Sequence, residues 1–158
     1  WYRPNNVRGA QRSDPKTRAL RSRESRKPQN EVQMTTIDHL ILKINDVPAS
    51  VDFYVEVMGF QLEGEQPPFT VIRVSDDFVM QLAPWGTEGN EHLAFSLSRE
   101  SFDVIFARVR EKGIPYGESF HSVGANTGPG VEFGAKGAAP TLYFNDPNKH
   151  LIEIRTYD

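Results

Sequence analysis

The spacing of apolar residues repeats along the chain after position 36. The stretch IDHLILKINDVPASVDFYVEVMGF (37–60) matches EHLAFSLSRESFDVIFARVREKGI (91–114). In each copy a short apolar strand that contains His-Leu leads to a segment with apolar residues at helical spacing. Each segment ends at a glycine, Gly59 or Gly113, a residue that readily adopts the left-handed conformation at the end of a helix. The pattern therefore predicts the same strand and helix twice.

The two halves also end alike and differ by one insertion. VMQLA (79–83) closes the first half and LIEIR (151–155) closes the second, and each is a predicted strand with a polar residue in its middle. The second half is longer because it contains the glycine-rich stretch SVGANTGPGVEFGAKGAA (122–139), which predicts a loop. We therefore expect module 1 at 37–86 and module 2 at 91–157, with the loop inserted in module 2.

Alternate residues of a strand face opposite sides, so each predicted strand has an apolar face and a more polar one. The residues expected to face the helices are Leu40, Leu42, Met80, Leu82, Leu93, Phe95, Leu97, Leu142, Phe144, Ile152 and Ile154. The opposite face would carry His39, Ile41, Lys43, Arg73, Gln81, His92, Ser96, Thr141, Tyr143, Glu153 and Arg155. Histidines, a carboxylate and arginines on one face cost free energy unless they are paired or bind something. We therefore expect a curved sheet whose concave, polar side encloses a cavity.

Length and composition suit one soluble domain with a hydrophobic core. The chain has 158 residues, of which 38% are hydrophobic, and no uninterrupted apolar run approaches the length of a bilayer span. The chain has no cysteine, which excludes disulfides, zinc–thiolate sites and thiol nucleophiles. That composition is compatible with a reducing compartment, and we expect a cytoplasmic protein.

Charge divides the chain into a basic beginning and an acidic remainder. The net charge is −3, but residues 1–33 hold nine of the 18 lysines and arginines and only three of the 21 acids. Because phosphate contacts require a basic surface, the acidic remainder excludes nucleic acid as a partner. Residues 1–33 lack apolar periodicity, which predicts a disordered basic extension: an upstream stretch outside the native product, a leader, or an arm that binds something acidic. Since Met34 stands directly before the first strand, we favour a domain that spans 34–158.

Two histidines and a glutamate occupy equivalent places in the repeat. His39 of module 1 corresponds to His92 of module 2, and Gln81 corresponds to Glu153. Neutral imidazoles and a carboxylate are ligands for Mn²⁺, Fe²⁺, Ni²⁺, Co²⁺ or Zn²⁺, and three protein ligands leave positions open for a substrate. The alternative is a structural pair of histidines, but placement at matching points of a repeat favours one divalent metal ion bound by His39, His92 and Glu153.

These stretches resemble a known family. HLILKINDVPASVDFYVEVMGF, HLAFSL and LYFNDPNKHLIEI are similar to the vicinal oxygen chelate superfamily, which includes glyoxalase I, fosfomycin-resistance thiol transferases and extradiol dioxygenases. Phe53-Tyr54, Gly59 and Asp146-Pro147 are typical of it, and the resemblance covers nearly all of 37–157. It implies an α+β fold in which two βαβββ modules form a cupped mixed sheet around a divalent metal, often completed across a dimer.

The resemblance also implies roles for individual residues. It implies that His39, His92 and Glu153 are the metal ligands and that Gln81 occupies the fourth ligand position, where glyoxalase I usually has a glutamate that acts as a base. Tyr143 lies ten residues before Glu153, as in the fosfomycin transferases, and either orients a bound oxygen or fills the cavity wall. Lys43 stands where glyoxalase I often has an arginine for the glutathione carboxylate.

Two classes of function follow from this reading. The first is an enzyme of lyase or isomerase type on a small oxygenated molecule, in which the metal acts as a Lewis acid on a developing enolate or alkoxide, with Glu153 and Tyr143 at the reacting centre. A fosfomycin-type thiol transferase and an extradiol-type dioxygenase are alternatives within that class. The second is a resistance protein that sequesters a drug-like ligand without turnover. A homodimer is expected because cupped sheets leave open edges.

Several other polar and aromatic residues have more than one possible role. Arg73 and Arg155 either bind an anionic substrate or pair with acids of the domain. Trp85 is either an aromatic wall of the cavity or a dimer contact. His121 and His150 lie beside predicted loops, where we expect solvated surface side chains.

Overall fold

The computed structural model describes residues 35–158. The predicted extension at 1–33 and the predicted start of the domain at Met34 lie outside the described residues. Residues 36–158 form one compact unit, in which two successive strand–helix–strand modules can be followed. No helix within 35–158 combines the length and apolarity needed to cross a membrane.

Module 1 is a four-stranded mixed sheet with one helix. Its elements are β1 (His39–Lys43), α1 (Val47–Asp52, continued by a π-helical turn at Phe53–Val57), β2 (Gln61–Gln66), β3 (Phe69–Ser75) and β4 (Phe78–Ala83). The strand order is β1-β4-β3-β2, with β1 parallel to β4. Asp46 caps α1, because its Oδ1 accepts a 2.7 Å hydrogen bond from the Ala49 amide. The helix ends at Gly59, whose φ of +75° is the left-handed conformation expected there.

Module 2 repeats this plan with one additional strand. Its elements are β5 (His92–Leu97), α2 (Arg99–Glu111), β6 (Tyr116–Gly117), β7 (Gly130–Gly134), β8 (Gly137–Asn145) and β9 (Leu151–Thr156). The order is β5-β9-β8-β6, with β5 parallel to β9 and β7 paired to β8. Ser98 caps α2 by accepting a hydrogen bond from the Ser101 amide. The expected α+β architecture of two βαβββ modules is confirmed.

Strand register reproduces the repeat residue by residue. In module 1, Ile41 lies opposite Gln81, and in module 2, Ala94 lies opposite Glu153. Since directly paired residues share a face, His39 and Gln81 lie on one face of module 1, and His92 and Glu153 lie on the corresponding face of module 2. The other faces carry the apolar residues predicted to face the helices, and most of these residues are fully buried.

The prediction of one continuous loop at 122–139 is wrong. Residues 130–134 form β7, which pairs with the first half of β8 from Gly130↔Thr141 to Gly134↔Gly137. The glycines that suggested a loop instead permit a tight hairpin: Gly137, with φ of +102°, follows the two turn residues. The irregular segment is therefore confined to 118–129, between β6 and β7.

A buried polar cluster joins the two modules at the turn before β9. Asp146 accepts a 2.9 Å hydrogen bond from the Tyr54 hydroxyl and a 2.8 Å bond from the His150 amide. Asn148 accepts from the Asn45 amide at 2.8 Å. His150 is fully buried, with Nε2 2.8 Å from the Lys43 carbonyl, so its prediction as a surface side chain is wrong. Sequence position beside a loop did not reveal that the end of β1 covers this histidine.

Candidate functional site

One face of module 2 brings an imidazole and a carboxylate together. β5 supplies His92 and β9 supplies Glu153, and Nε2 of the imidazole lies 3.0 Å from Oε2 of the carboxylate. The Glu153 side chain is 5% exposed, whereas that of His92 is 47% exposed. The pair therefore has a buried side within the module and an open side that a ligand can approach.

Arg155 occupies the buried side of this pair. Its Nη1 donates to Oε1 of Glu153 at 2.9 Å, and its Nη2 donates to the Glu132 carbonyl of β7 at 2.6 Å. Both ionic side chains are nearly inaccessible, so neither charge is hydrated and each depends on the other. The two oxygens of Glu153 consequently have different partners, an arginine at Oε1 and a histidine at Oε2.

Tyr143 completes the wall of the same face from β8. It lies opposite Glu153 in the strand register, and its ring centroid is 6.1 Å from that of His92. Burial raises the pKa of Tyr143 to about 12, and the charge of Glu153 and a hydrogen bond to it act in the same direction. The phenol is therefore protonated at neutral pH and acts as a hydrogen-bond donor.

On the corresponding face of module 1, the side chains are poorer candidate metal ligands. His39 is half-exposed, and its Nδ1 lies 2.7 Å from Oδ2 of the neighbouring Asp38. Gln81 stands opposite Ile41 in the parallel register, and Lys43 is exposed at the end of β1. Module 1 therefore offers an imidazole and a neutral amide where module 2 offers an imidazole and a carboxylate.

An apolar cavity of about 540 Å³ lies between the edge strands of the two modules. Its lining contains both His39 and His92. The apolar lining residues include Leu40, Phe60, Phe78, Met80, Leu93, Phe95 and Leu97. The two histidines that the repeat relates thus border one space, at the open edges of β1 and β5.

The donor set of module 2 fits a divalent metal, but residues 35–158 do not bring three such ligands together. An imidazole nitrogen and a carboxylate oxygen 3.0 Å apart are suitable borderline ligands for Mn²⁺, Fe²⁺, Co²⁺, Ni²⁺ or Zn²⁺. Within residues 35–158, however, no three His, Asp or Glu side chains gather closely enough to hold an ion. His92 and Glu153 therefore offer two of the three ligands that the sequence predicted.

The structure places both candidate arginines in ion pairs, which is the alternative to a direct contact with an anionic substrate. Nε of Arg73 lies 2.7 Å from Oε1 of Glu63 on the neighbouring strand β2, and Arg155 is paired with Glu153. Trp85 is 55% exposed and packs edge-on against Phe69 just after β4.

Sequence reasoning missed an aromatic contact beside Tyr143. Phe120, in the segment between β6 and β7, lies 6.4 Å from Tyr143 between ring centroids and remains 52% exposed. Its neighbour His121 is exposed, as expected, and its ring centroid is 3.8 Å from that of Phe120. The available signal was a phenylalanine beside the predicted loop, and a single apolar residue there does not by itself mark a binding surface.

Comparisons with known proteins agree with this architecture. The family model of the Glyoxalase/Bleomycin resistance protein/Dioxygenase superfamily matches residues 36–154. Virulence protein STM3117 of Salmonella typhimurium is 28% identical over 130 residues, covering 77% of this chain and 83% of that protein. Glutathione transferase FosA of Serratia marcescens is 23% identical over 128 residues, covering 77% and 80%. Among solved structures, oxidase ChaP-H2 superposes with a TM-score of 0.65 and 26% identity, covering 78% of this chain and 94% of that one.

Proposed function

The chain belongs to the Glyoxalase/Bleomycin resistance protein/Dioxygenase superfamily, and we propose that it is a metal-dependent enzyme that acts on a small oxygenated molecule. The observation that carries this proposal is the contact between Nε2 of His92 and Oε2 of Glu153, on the face of module 2 that also holds Tyr143. A half-buried imidazole beside a buried carboxylate is a costly arrangement that metal binding would explain.

His39 is the third ligand of the proposal, and it would come from a second copy of the chain. Within residues 35–158 no three suitable side chains meet. Within the part of the chain that the structure describes, β1 pairs only with β4 and β5 only with β9, so the strands that carry His39 and His92 both lie at open edges there. Edges of this kind are commonly covered by pairing with another copy. A homodimer would then contain two equivalent sites.

Each remaining polar group has a role that its surroundings suit. The bound ion would supply Lewis acidity toward a substrate oxygen. Tyr143 keeps its proton at neutral pH, so its hydroxyl would act as a hydrogen-bond donor at this face and would not accept a proton from the substrate. Gln81 would contribute an amide oxygen as a weak fourth ligand, and exposed Lys43 and Trp85 would contact outer parts of the substrate.

The names of the relatives suggest which reactions to test but do not select one of them. One relative is named a glutathione transferase and a structural neighbour is named an oxidase, which keeps a thiol transferase and a dioxygenase beside the lyase or isomerase reaction. Gln81 cannot take a proton, so a reaction that needs a base at that position is disfavoured.

Metal content of the purified chain tests the proposal. Plasma mass spectrometry should find about one divalent ion per chain, and His92→Ala and Glu153→Gln should largely remove it. His121→Ala is the matched control, because this exposed histidine lies outside the proposed ligand set. Metal-loaded protein would then be assayed with 2-oxoaldehyde–thiol adducts, fosfomycin and catechols. A parent chain that stays empty after incubation with Mn²⁺, Fe²⁺, Co²⁺, Ni²⁺ and Zn²⁺ would contradict the proposal.

The apolar cavity favours a second candidate, a protein that sequesters a ligand without turnover. Its volume of about 540 Å³ and its leucine and phenylalanine lining suit a drug-sized apolar molecule. This candidate predicts that such molecules bind equally well to the parent and to Glu153→Gln, because Glu153 does not line the cavity. Equilibrium dialysis with the same panel separates the two candidates.

A further inference from the structure

Arg155 connects the proposed ligand Glu153 to the β7–β8 hairpin. Its guanidinium is 6% exposed and uses two of its nitrogens in different directions, toward the Glu153 carboxylate and toward the Glu132 carbonyl. A second hairpin carbonyl, that of Gly137, lies 3.5 Å from Nη2. One buried cation thus holds a carboxylate of β9 and the backbone on both sides of a hairpin turn.

The hairpin backbone approaches this guanidinium closely. A Cβ at Gly134 would overlap Nη1 and Cζ of Arg155 and would also crowd the Tyr157 hydroxyl. The Tyr157 ring lies 5.1 Å from Cζ of Arg155, and its hydroxyl accepts a 3.1 Å hydrogen bond from the Lys136 amide at the hairpin turn. Only glycine at position 134 permits this packing, so the position of Arg155 is constrained from several sides.

We propose that Arg155 is a positioning residue that fixes the Glu153 carboxylate, so that the guanidinium occupies Oε1 and Oε2, beside Nε2 of His92, would be left to hold a metal. Arg155 also couples this orientation to the hairpin at 130–137. The part that concerns the metal rests on the proposed function, whereas the coupling to the hairpin is a property of the chain alone.

The two oxygens of the Glu153 carboxylate have different partners, and this difference determines which of them is open to a metal. A guanidinium donating to Oε1 competes with any ion for that oxygen, so Glu153 would bind through Oε2, beside Nε2 of His92. Supporting hydrogen bonds of this kind orient a ligand before the metal arrives, and their loss typically weakens metal binding by about 10- to 100-fold. Arg155 therefore acts through Glu153 and need not touch the substrate.

Metal affinity of three variants tests the first half of this inference. Chelator-competition titrations with Co²⁺ should show about 10- to 100-fold weaker binding for Arg155→Met, with a changed visible absorption spectrum, and an intermediate affinity for Arg155→Lys. The lysine keeps a cation beside Oε1 but cannot reach both partners. Arg73→Met is the matched control, because it breaks an arginine–glutamate pair that includes no proposed ligand, and it should retain the parent affinity. Equal affinities and spectra for Arg155→Met and Arg73→Met would overturn the proposal.

Gly134→Ala provides a second test of the positioning role of Arg155 if Arg155→Met fails to fold. The added methyl would displace the guanidinium without removing its charge, and we expect weaker Co²⁺ binding in the same direction. Parental Co²⁺ binding in this variant, with the protein folded, would overturn the proposal.

Hydrogen exchange of the metal-free protein tests the coupling separately. Glu153→Gln should accelerate amide exchange across 130–137, and it should add nothing when Arg155→Met is already present. An effect of Glu153→Gln that is equal on both backgrounds would overturn the coupling. If the parent binds no metal, the proposed function fails, and this exchange measurement still decides whether Arg155 couples the carboxylate to the hairpin.

Discussion

The two modules share one plan but carry different residues at the matching functional positions. In both, a histidine begins the first strand, and the residue at the matching place on its parallel neighbour shares its face. Module 2 has Glu153 at that place, in contact with His92 and Arg155. Module 1 has Gln81 there, and its histidine contacts Asp38 instead.

The comparison shows that the fold supplies positions and that the residue at each position decides the chemistry. A carboxylate that is 5% exposed requires partners, and module 2 provides a buried arginine for it. A neutral amide requires no such support, and the arginine of module 1, Arg73, pairs with Glu63 on the surface instead. In the proposed site, module 2 would supply the anionic half and module 1 a neutral half.

The largest expected effect comes from making module 2 resemble module 1. Glu153→Gln leaves the buried Arg155 without its anion, which should cost about 3 kcal/mol of unfolding free energy as well as the metal. Urea denaturation measures this cost. Glu63→Gln in module 1 is the matched control and should barely change stability, because its pair with Arg73 is partly solvated. Similar losses in the two variants would contradict the contrast between the modules.

Substitution of the two histidines should produce a smaller difference in unfolding free energy between the modules. His92→Gln removes the partner of Oε2 of the buried Glu153 and should lower the unfolding free energy by about 1 kcal/mol. His39→Gln should lower the unfolding free energy less, because the one hydrogen-bond partner of the His39 imidazole among residues 35–158 is the exposed carboxylate of Asp38. Denaturation of metal-free protein measures both, and an equal or larger loss for His39→Gln would be evidence against the assignment.

The smallest effect concerns the ionisation of Tyr143. Its pKa is raised from 10.0 to about 12, first by burial and then by Glu153. In the unfolded chain the phenol loses its proton at lower pH, so its contribution to stability is fully present below about pH 10 and is lost as the pH rises toward 12. Absorbance titration at alkaline pH should show that Tyr143→Phe removes a late-ionising tyrosine. If Tyr143→Phe instead removes a tyrosine that ionises near pH 10, the raised pKa of Tyr143 would be contradicted.

Much of the fold was predictable because the repeat and strand parity are local signals. The correspondence of His39 with His92 and of Gln81 with Glu153 follows from the matching strand patterns once one insertion is allowed, and the register confirms it. The hairpin within 122–139 was missed because its glycines suit a tight turn as well as a loop.

The contacts around the site were less predictable because they join distant parts of the chain. Parity placed Arg155 on the face of Glu153 but left open whether it would bind substrate or an acid. Its contact with the Glu132 carbonyl depends on the hairpin, and burial of His150 depends on packing against the end of β1. Neither follows from periodicity.

In the proposed homodimer, each metal site would combine His39 of one copy with His92 and Glu153 of the other. Chains carrying His39→Ala and chains carrying Glu153→Gln would be given different tags, co-expressed, and purified as heterodimers. One of the two sites in each heterodimer would then contain all three native ligands, so we predict about one bound ion per heterodimer. Each variant alone should bind almost none. A heterodimer as empty as the two parent variants would contradict a site shared between copies.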